Sequence, residues 1–253
     1  DGGTFAQALQ RAGTVPLPPY MRREAMPEDP VRYNTVFATN DGSIAAPTAS
    51  LHFSDGLLAG LRARGVRTTR CTLHVGAGTF LPVKSDRLAE HVMHSEQVRL
   101  SLSTLTDLCE QLDKGPIIPV GTTALRTIES VYWHGVMLLH GRAAAAMHVG
   151  QWEPYTHEPQ DLPTARMALS AVIEAVRRQG TPLTGSTALL IAPGYRFQLA
   201  NALITNFHQP GSTLLLLVAA FIGPAWRTVY DHALANGYRF LSYGDGSLLY
   251  RDT

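Results

Sequence analysis

Residues 201–223 read NALITNFHQPGSTLLLLVAAFIG, and the reading of the fold starts from them. Residues 202–205 form a short apolar run with the length and β-branched content of a buried strand. Asn206, His208 and Gln209 follow at once, and Pro210 with Gly211 then breaks the backbone. Ser212 suits an N-cap, and residues 213–222 are apolar all round, as in a fully buried helix. A strand that delivers Asn and His to a loop, followed by a capped helix, is how α/β enzymes build sites at strand C-termini. A core helix with a hydrogen-bonded histidine beside it gives the same pattern, so the rest of the chain has to decide.

Towards the C-terminus, Pro224 opens a helix that ends before Gly237. Residues 238–243, YRFLSY, read as a last strand, followed by Gly244, Asp245 and Gly246. Towards the N-terminus, residues 187–192, TALLIA, read as a buried strand, with PGYRF after it. Residues 164–178 form a helix with Met167, Leu169, Val172, Ile173 and Val176 as its apolar positions, and Gly180 lies beyond its end. Residues 136–185 are otherwise the least regular stretch, with HGRAAAAMHVG and the proline-broken QWEPYTHEPQDLP.

Residues 116–120, PIIPV, are a short apolar run that Gly121, Thr122 and Thr123 turn into a helix carrying Arg126 and Glu129. A strand, Gly-Thr-Thr and helix can hold an anion, because unpaired N–H groups face the ligand there. Arg126 and Glu129 stand at i,i+3, so a surface ion pair and a functional role are about equally open. Ser101 caps a helix that runs to about Lys114. Residues 90–96, EHVMHSE, pack two histidines and two carboxylates together; no third ligand can be placed for a metal, so a hydrogen-bonded polar cluster is the simpler reading.

Residues 69–75, TRCTLHV, read as a strand, and Gly76, Ala77, Gly78 and Thr79 after it form either a tight turn or an anion-binding nest. Phe80 and Pro82 continue that loop. Ser54 caps a helix ended by Gly65, and residues 45–53, AAPTASLHF, let backbone approach a ligand closely and end in His52 and Phe53. Residues 35–38 are strand-like, residues 40–42 a turn, residues 15–20 (VPLPPY) an extended linker and residues 1–13 a short helix. Strand, polar loop and helix recur, which predicts an α/β protein with parallel strands, in a barrel or an open sheet. Polar clusters follow the strands at His74, Thr122, Asn206 and Asp245, which points to one site at one end of that sheet.

The chain has 253 residues, 45% of them hydrophobic and 16% charged, enough for one large domain or two small ones. A formal net charge of +1 argues against nucleic-acid binding through a global positive field, so any RNA site must be a local patch. Cys71 and Cys109 make no disulfide framework and read as core thiols of a cytoplasmic protein. The N-terminal residues have no signal-peptide pattern, and the apolar run at 214–222 is far below the roughly 20 residues that span a bilayer.

Taken in order, VPLPPY, AAPTASLHF, TLHVGAGTFLPV, EHVMHSE, VGTTALRTIES, PGYRF, LITNFHQPGSTLLLLVAAFIG and YRFLSYGDGSLL resemble the S-adenosylmethionine:tRNA ribosyltransferase-isomerase family (QueA) of queuosine biosynthesis. The resemblance covers most of the chain outside residues 136–185. It implies a distorted (β/α) barrel-like catalytic domain over residues 21–253, with an elongated segment at 136–185. Residues 1–20 would be the linker and the tail of a small inserted β-barrel domain, most of which the chain would lack. Ser50 stands where the family usually has Gly, Gln209 where it has Leu, and Gly246 where Ala is common.

The resemblance also implies a reaction. The ribosyl group of S-adenosylmethionine, a co-substrate and not a prosthetic group, passes to the aminomethyl group of preQ1 at the tRNA wobble position. Epoxyqueuosine-tRNA, adenine and methionine result. A base must act next to sulfur and an acid near adenine, and His94, His208, Asp245 and His52 are the candidates. Asp245 or Glu129 would favour the sulfonium, and Arg126 with the amides of Gly121, Thr122 and Thr123 would hold the methionine carboxylate. Phe53, Phe80 and Phe207 would flank adenine or the acceptor base. Gly76, Gly78, Thr79, Asn206 and Tyr243 complete the expected substrate contacts, with no metal.

The anticodon loop is single-stranded, so its base can be splayed out without melting a helix. Arg22, Arg23, Lys84 and Arg99 are candidate phosphate contacts, with no membrane partner. Two other readings stand beside this one: a relative that binds S-adenosylmethionine or RNA without turnover, and a barrel hydrolase working through Glu96 and Glu129.

Overall fold

The structure is a computed structural model and describes residues 17–21, 23–39, 45–74 and 87–251. The expected helix at 1–13 and the turn at 40–42 lie outside the described residues, as do Arg22, Gly76, Gly78, Thr79, Phe80, Pro82 and Lys84. The helices are α1 (Asp29–Arg32), α2 (Asp55–Ala63), α3 (Leu102–Gln111), α4 (Thr122–Leu139), α5 (Ala165–Gln179), α6 (Thr213–Ile222) and α7 (Ala225–Ala235). The strands are β1 (Thr72–His74), β2 (Glu96–Leu100), β3 (Met147–Val149), β4 (Leu183–Thr187), β5 (Ala202–Asn206) and β6 (Gly246–Tyr250).

The helices start where side chains can cap them. Ser54, Ser101, Thr164 and Ser212 each accept a hydrogen bond from the backbone N–H three residues on, at 3.1–3.3 Å. Gly180, at φ 71°, ends α5 in the left-handed conformation that a glycine adopts without strain.

Four strands form one sheet in the order β1-β2-β4-β3. The β1–β2 and β2–β4 ladders are antiparallel and β3–β4 is parallel. The second sheet is the antiparallel pair β5–β6. The chain is therefore mixed α and β, as expected, but antiparallel ladders outnumber parallel ones, and the described strands form two sheets. The stretch at 116–120 does run parallel to β5: Gly121 donates to the Ile204 carbonyl at 2.8 Å and Ile204 to that of Pro119 at 3.0 Å. Pro116 and Pro119 lack N–H groups, which keeps this stretch from extending into a full ladder.

Three strand positions are corrected. The ladder near residue 187 is β4, LTGST, while beyond it Ala188 and Leu190 donate to the carbonyls of Val149 and Gln151 at 3.0 and 3.2 Å and residues 189–192 are buried. Residues 238–243 are irregular, with Leu241 at φ 69°, and the last strand is β6. Residues 35–38 form no strand.

The main core lies between the four-stranded sheet and helices α4 and α5. Trp133, Tyr132, Leu125 and Val136 of α4 meet Leu169, Val172 and Val176 of α5 over Val98, Leu100, Met147 and Leu183. The α4–α5 approach is close enough that a Cβ on Gly135 would fall 2.3 Å from the Ala168 carbonyl oxygen, so only glycine fits there. Among the described residues no single helix is long and apolar enough to cross a membrane.

Candidate active site

Strand β5 ends at Asn206, and the chain then turns through Pro210 and Gly211 into α6. A cleft of about 160 Å³ opens beside this turn. One wall is the first turn of α6 (Ser212, Thr213, Leu214), and the opposite wall is the start of α4 (Gly121, Thr122, Thr123). Residues 45–49 and the Leu241–Ser242 backbone close the remaining sides. Helix α6 was expected to be fully buried, yet its first turn is half exposed because it faces this cleft; Leu217, Val218, Phe221 and Ile222 carry the core contact. Two helix N-termini meeting at one cavity make its potential positive. No carboxylate is among the described lining residues.

Gly121 precedes α4 at φ 94°, a conformation that strains other residues. Its own N–H is taken by Ile204, so Thr122 and the residues after it present the free N–H groups.

Asn206 lines the cleft and is 2% exposed. Its Nδ2 donates to the carbonyls of Leu241 at 2.9 Å and Ser242 at 3.5 Å, and lies 3.4 Å from His52 Nε2. Two carbonyls fix the amide orientation, because a flipped amide would set oxygen against oxygen. Asn206 Oδ1 is buried with no donor among the described residues.

His208 lines the same cleft but sits deep. Its Nε2 is 2.9 Å from the Thr205 hydroxyl, and its backbone N–H donates to the Tyr230 hydroxyl at 3.1 Å. Burial pushes its imidazole down to about 4, so it is neutral near pH 7 and poorly suited to act as an acid. Phe207 points the other way, into an aromatic cluster with Tyr230, Tyr238 and Phe240 at 5.4–5.6 Å between centroids. The expectation that it flanks a base is corrected: alternation along the chain places Asn206 and His208 at the cleft and Phe207 in the core.

A buried ion cluster lies behind Thr123. Arg126 is 2% exposed and its Nη2 pairs with Glu96 Oε2; Glu96 is fully buried. Glu96 Oε1 also meets His94 Nε2 at 3.2 Å and the Thr123 hydroxyl at 3.3 Å. Burial alone would raise Glu96, but the Arg126 guanidinium and His94 outweigh it and hold the carboxyl below its ordinary value. Arg126 Nε and Nη1 have no acceptor among the described residues.

Of the two readings of Arg126 and Glu129, the surface ion pair does not hold. Both residues are buried, and Glu129 accepts from the Tyr195 hydroxyl and from the backbone N–H groups of Gln198, Leu199 and Ala200 at 2.9–3.0 Å. Its oxygens are fully engaged in holding the 195–200 turn ahead of β5, so it offers nothing to a sulfonium or to hydrolysis.

His52 is exposed at the end of a 3-10 turn, Thr48–His52, with its Nε2 3.4 Å from Asn206 Nδ2. Asp245 accepts from the Arg239 backbone N–H at 2.7 Å and pairs with its guanidinium, contacts that hold its carboxyl below the usual range. His52 and Asp245 border a second, shallow depression with Tyr238. Phe53 packs on Phe37, and the Tyr243 hydroxyl donates to Asp29 at 3.0 Å. Arg23 is bound to the same Asp29 at 2.6 and 2.8 Å, so it is not a free phosphate contact, whereas Arg99 is exposed on β2.

The structure thus brings Gly121, Thr122, Thr123, Asn206 and His208 to one cleft, with Arg126 and His94 behind it on Glu96, and sets Phe207, Glu129 and Tyr243 apart. The role of Glu96 was missed. Its signal lay in the alternation of EQVRL, which turns Glu96, Val98 and Leu100 inwards together. Among the described residues no group of three His, Cys, Asp or Glu side chains is placed to share a metal ion.

Comparison with known proteins gives a consistent result. The family model described as "Queuosine biosynthesis protein" matches residues 2–249. An S-adenosylmethionine:tRNA ribosyltransferase-isomerase of Rhodopseudomonas palustris is 42% identical over 257 residues, covering 99% of this chain and 59% of that protein. Its namesake in Dinoroseobacter shibae is 44% identical, covering 99% of this chain and 60% of that protein. The crystal structure of an S-adenosylmethionine tRNA ribosyltransferase from Thermotoga maritima superposes with a TM-score of 0.51 at 30% identity, covering 79% of this chain and 51% of that one. The chain spans about three fifths of the length of the curated relatives it matches. By the extent of the family match and the identity to these relatives, the chain belongs to the queuosine biosynthesis protein family.

Proposed function

We propose that the protein carrying this chain transfers and isomerises the ribosyl group of S-adenosylmethionine onto preQ1 at the tRNA wobble position, giving epoxyqueuosine-tRNA, adenine and methionine. The observation that carries this reading is the cleft at the end of β5, where two helix N-termini and the buried, unpaired Asn206 carbonyl meet in a member of this family. A barrel-like catalytic domain with an elongated 136–185 segment belongs to the same proposal. So do a cytoplasmic location and docking of the preQ1-bearing anticodon loop.

In this reading the free amides of α4 and α6, with Arg126 behind them, attract the methionine carboxylate. A guanidinium with two nitrogens lacking acceptors and a positive cavity favours a carboxylate over a neutral group. His94, oriented by Glu96, takes the proton next to sulfur. His52, beside Asn206 and open to solvent, protonates the departing adenine. His208, neutral and buried, supports the Asn206 turn from within. The small side chains of residues 45–49 form the wall against which the sugar would lie.

The test is adenine release from S-adenosylmethionine, with and without preQ1-modified tRNA. Adenine that appears only with modified tRNA supports the proposal. A folded protein that binds S-adenosylmethionine and never releases adenine is a binding relative and overturns it. His94→Ala and His52→Ala are expected to stop release while leaving the fold intact, and wild-type turnover in either removes that histidine from the scheme.

A further inference from the structure

A buried amide oxygen without a donor costs about 1–3 kcal/mol, so its persistence calls for an explanation. Asn206 Oδ1 is such an atom: the residue is 2% exposed, lines the cleft, and turns its Nδ2 to the carbonyls of Leu241 and Ser242. Those carbonyls fix Oδ1 as the face left for a ligand, and an acceptor there calls for a ligand N–H or O–H.

The donors to weigh are a cationic ammonium, a neutral hydroxyl and a neutral amine; the charge of the cleft separates the first from the other two, and its apolar walls favour the donor carried on a flat ring. It has no carboxylate among its described lining residues, and two helix N-termini make it positive. An ammonium held at Oδ1, away from the methionine carboxylate at the helix N-termini, would stand in that potential with no carboxylate of the described lining beside it. A neutral exocyclic amine on a flat ring carries no such penalty. The Ala45–Pro47 wall, Val120 and Leu214 offer the small apolar surfaces that a flat ring packs against.

We infer that Asn206 Oδ1 accepts the exocyclic amine of a 6-aminopurine and is the residue that selects this base over its 6-oxo counterpart. The inference rests on the proposed function and deepens it, because it names which part of S-adenosylmethionine lies against β5. An oxo group at the same place sets oxygen against oxygen in a buried site, which sites built around one hydrogen bond reject strongly.

The experiment is calorimetric binding of S-adenosylmethionine, adenosine and inosine to the whole protein. Inosine is expected to bind roughly tenfold or more weakly than adenosine. In Asn206→Ser, whose hydroxyl can donate or accept, the ratio is expected to fall towards one. Equal binding of adenosine and inosine by wild-type protein that still binds S-adenosylmethionine overturns the inference and leaves the proposed function standing. Failure to bind S-adenosylmethionine at all overturns the proposed function, and the inference falls with it. The wild-type ratio needs no variant, so a poorly folded Asn206→Ser does not obscure the answer.

Discussion

Arg126 and Glu129 stand three residues apart on α4, both buried, and their surroundings are opposite. Glu129 is saturated: one hydroxyl and three consecutive backbone N–H groups point at its two oxygens. Burial pushes its carboxyl up while these donors pull it down. Arg126 has one ion pair, to Glu96, and leaves Nε and Nη1 without acceptors among the described residues. A folded chain bears a half-satisfied buried cation only at a cost of several kcal/mol. The difference teaches that, on a single helix, a fully bonded charge fixes the backbone, and the incompletely bonded one is the charge proposed to meet a ligand. Asn206, with two donor contacts made and its acceptor free, falls on the Arg126 side of that division.

The largest effect should come from the saturated side. Glu129→Leu strands four donors in the core and is expected to cost about 4 kcal/mol or more, read by urea unfolding. A loss under 1 kcal/mol would mean that the 195–200 turn holds without it. Arg126→Met comes next, at about 3 kcal/mol, because it leaves the Glu96 carboxylate buried without its cation. Adding Glu96→Leu is expected to restore most of that stability and none of the binding of S-adenosylmethionine. A restored double variant that binds normally would make Arg126 as structural as Glu129.

A smaller effect follows from pH. Burial pushes His208 and His134 down to about 4, below the value of about 6.5 in an unfolded chain. As pH falls the unfolded state takes up protons first, so their stability is full above about pH 6.5 and is lost towards pH 4. The slope is ~1.4 kcal/mol per pH unit for each group. His208→Gln should halve it, and unfolding free energies at pH 5 and 7 measure the change; an unchanged slope would mean that His208 titrates alike in both states. The smallest effect belongs to Ser212→Ala, which removes the α6 cap and should cost ~1 kcal/mol, seen as a small drop in the urea midpoint.

Sequence alone made the local features legible. Ser54, Ser101 and Ser212 announced their helices because a cap depends on residues three apart. The strand at 202–206 and the polar turn after it were readable for the same reason. Strands β2 and β4 were not. Glu96 in an inward position disguises EQVRL as a polar cluster, and LTGST has too few apolar residues to announce a buried strand. YRFLSY is aromatic enough for a strand, but Tyr238 and Phe240 pack on Phe207 and the backbone turns left-handed at Leu241. In the site, Asn206 and the Gly121–Thr123 turn were legible because both sit next to a helix start. The Arg126–Glu96 pair joins residues 30 positions apart, and Glu129 bonds to a turn about 70 positions away; no local period encodes either.

The most direct measurement compares the affinity of the whole protein for S-adenosylmethionine and for its decarboxylated analogue. Removing the carboxylate takes away the group that the two helix N-termini and Arg126 are proposed to hold, and leaves the base, sugar and sulfonium unchanged. The account predicts that the decarboxylated analogue binds about tenfold or more weakly. Equal affinities would contradict it, and would return Arg126 to the structural role that Glu129 plays three residues along.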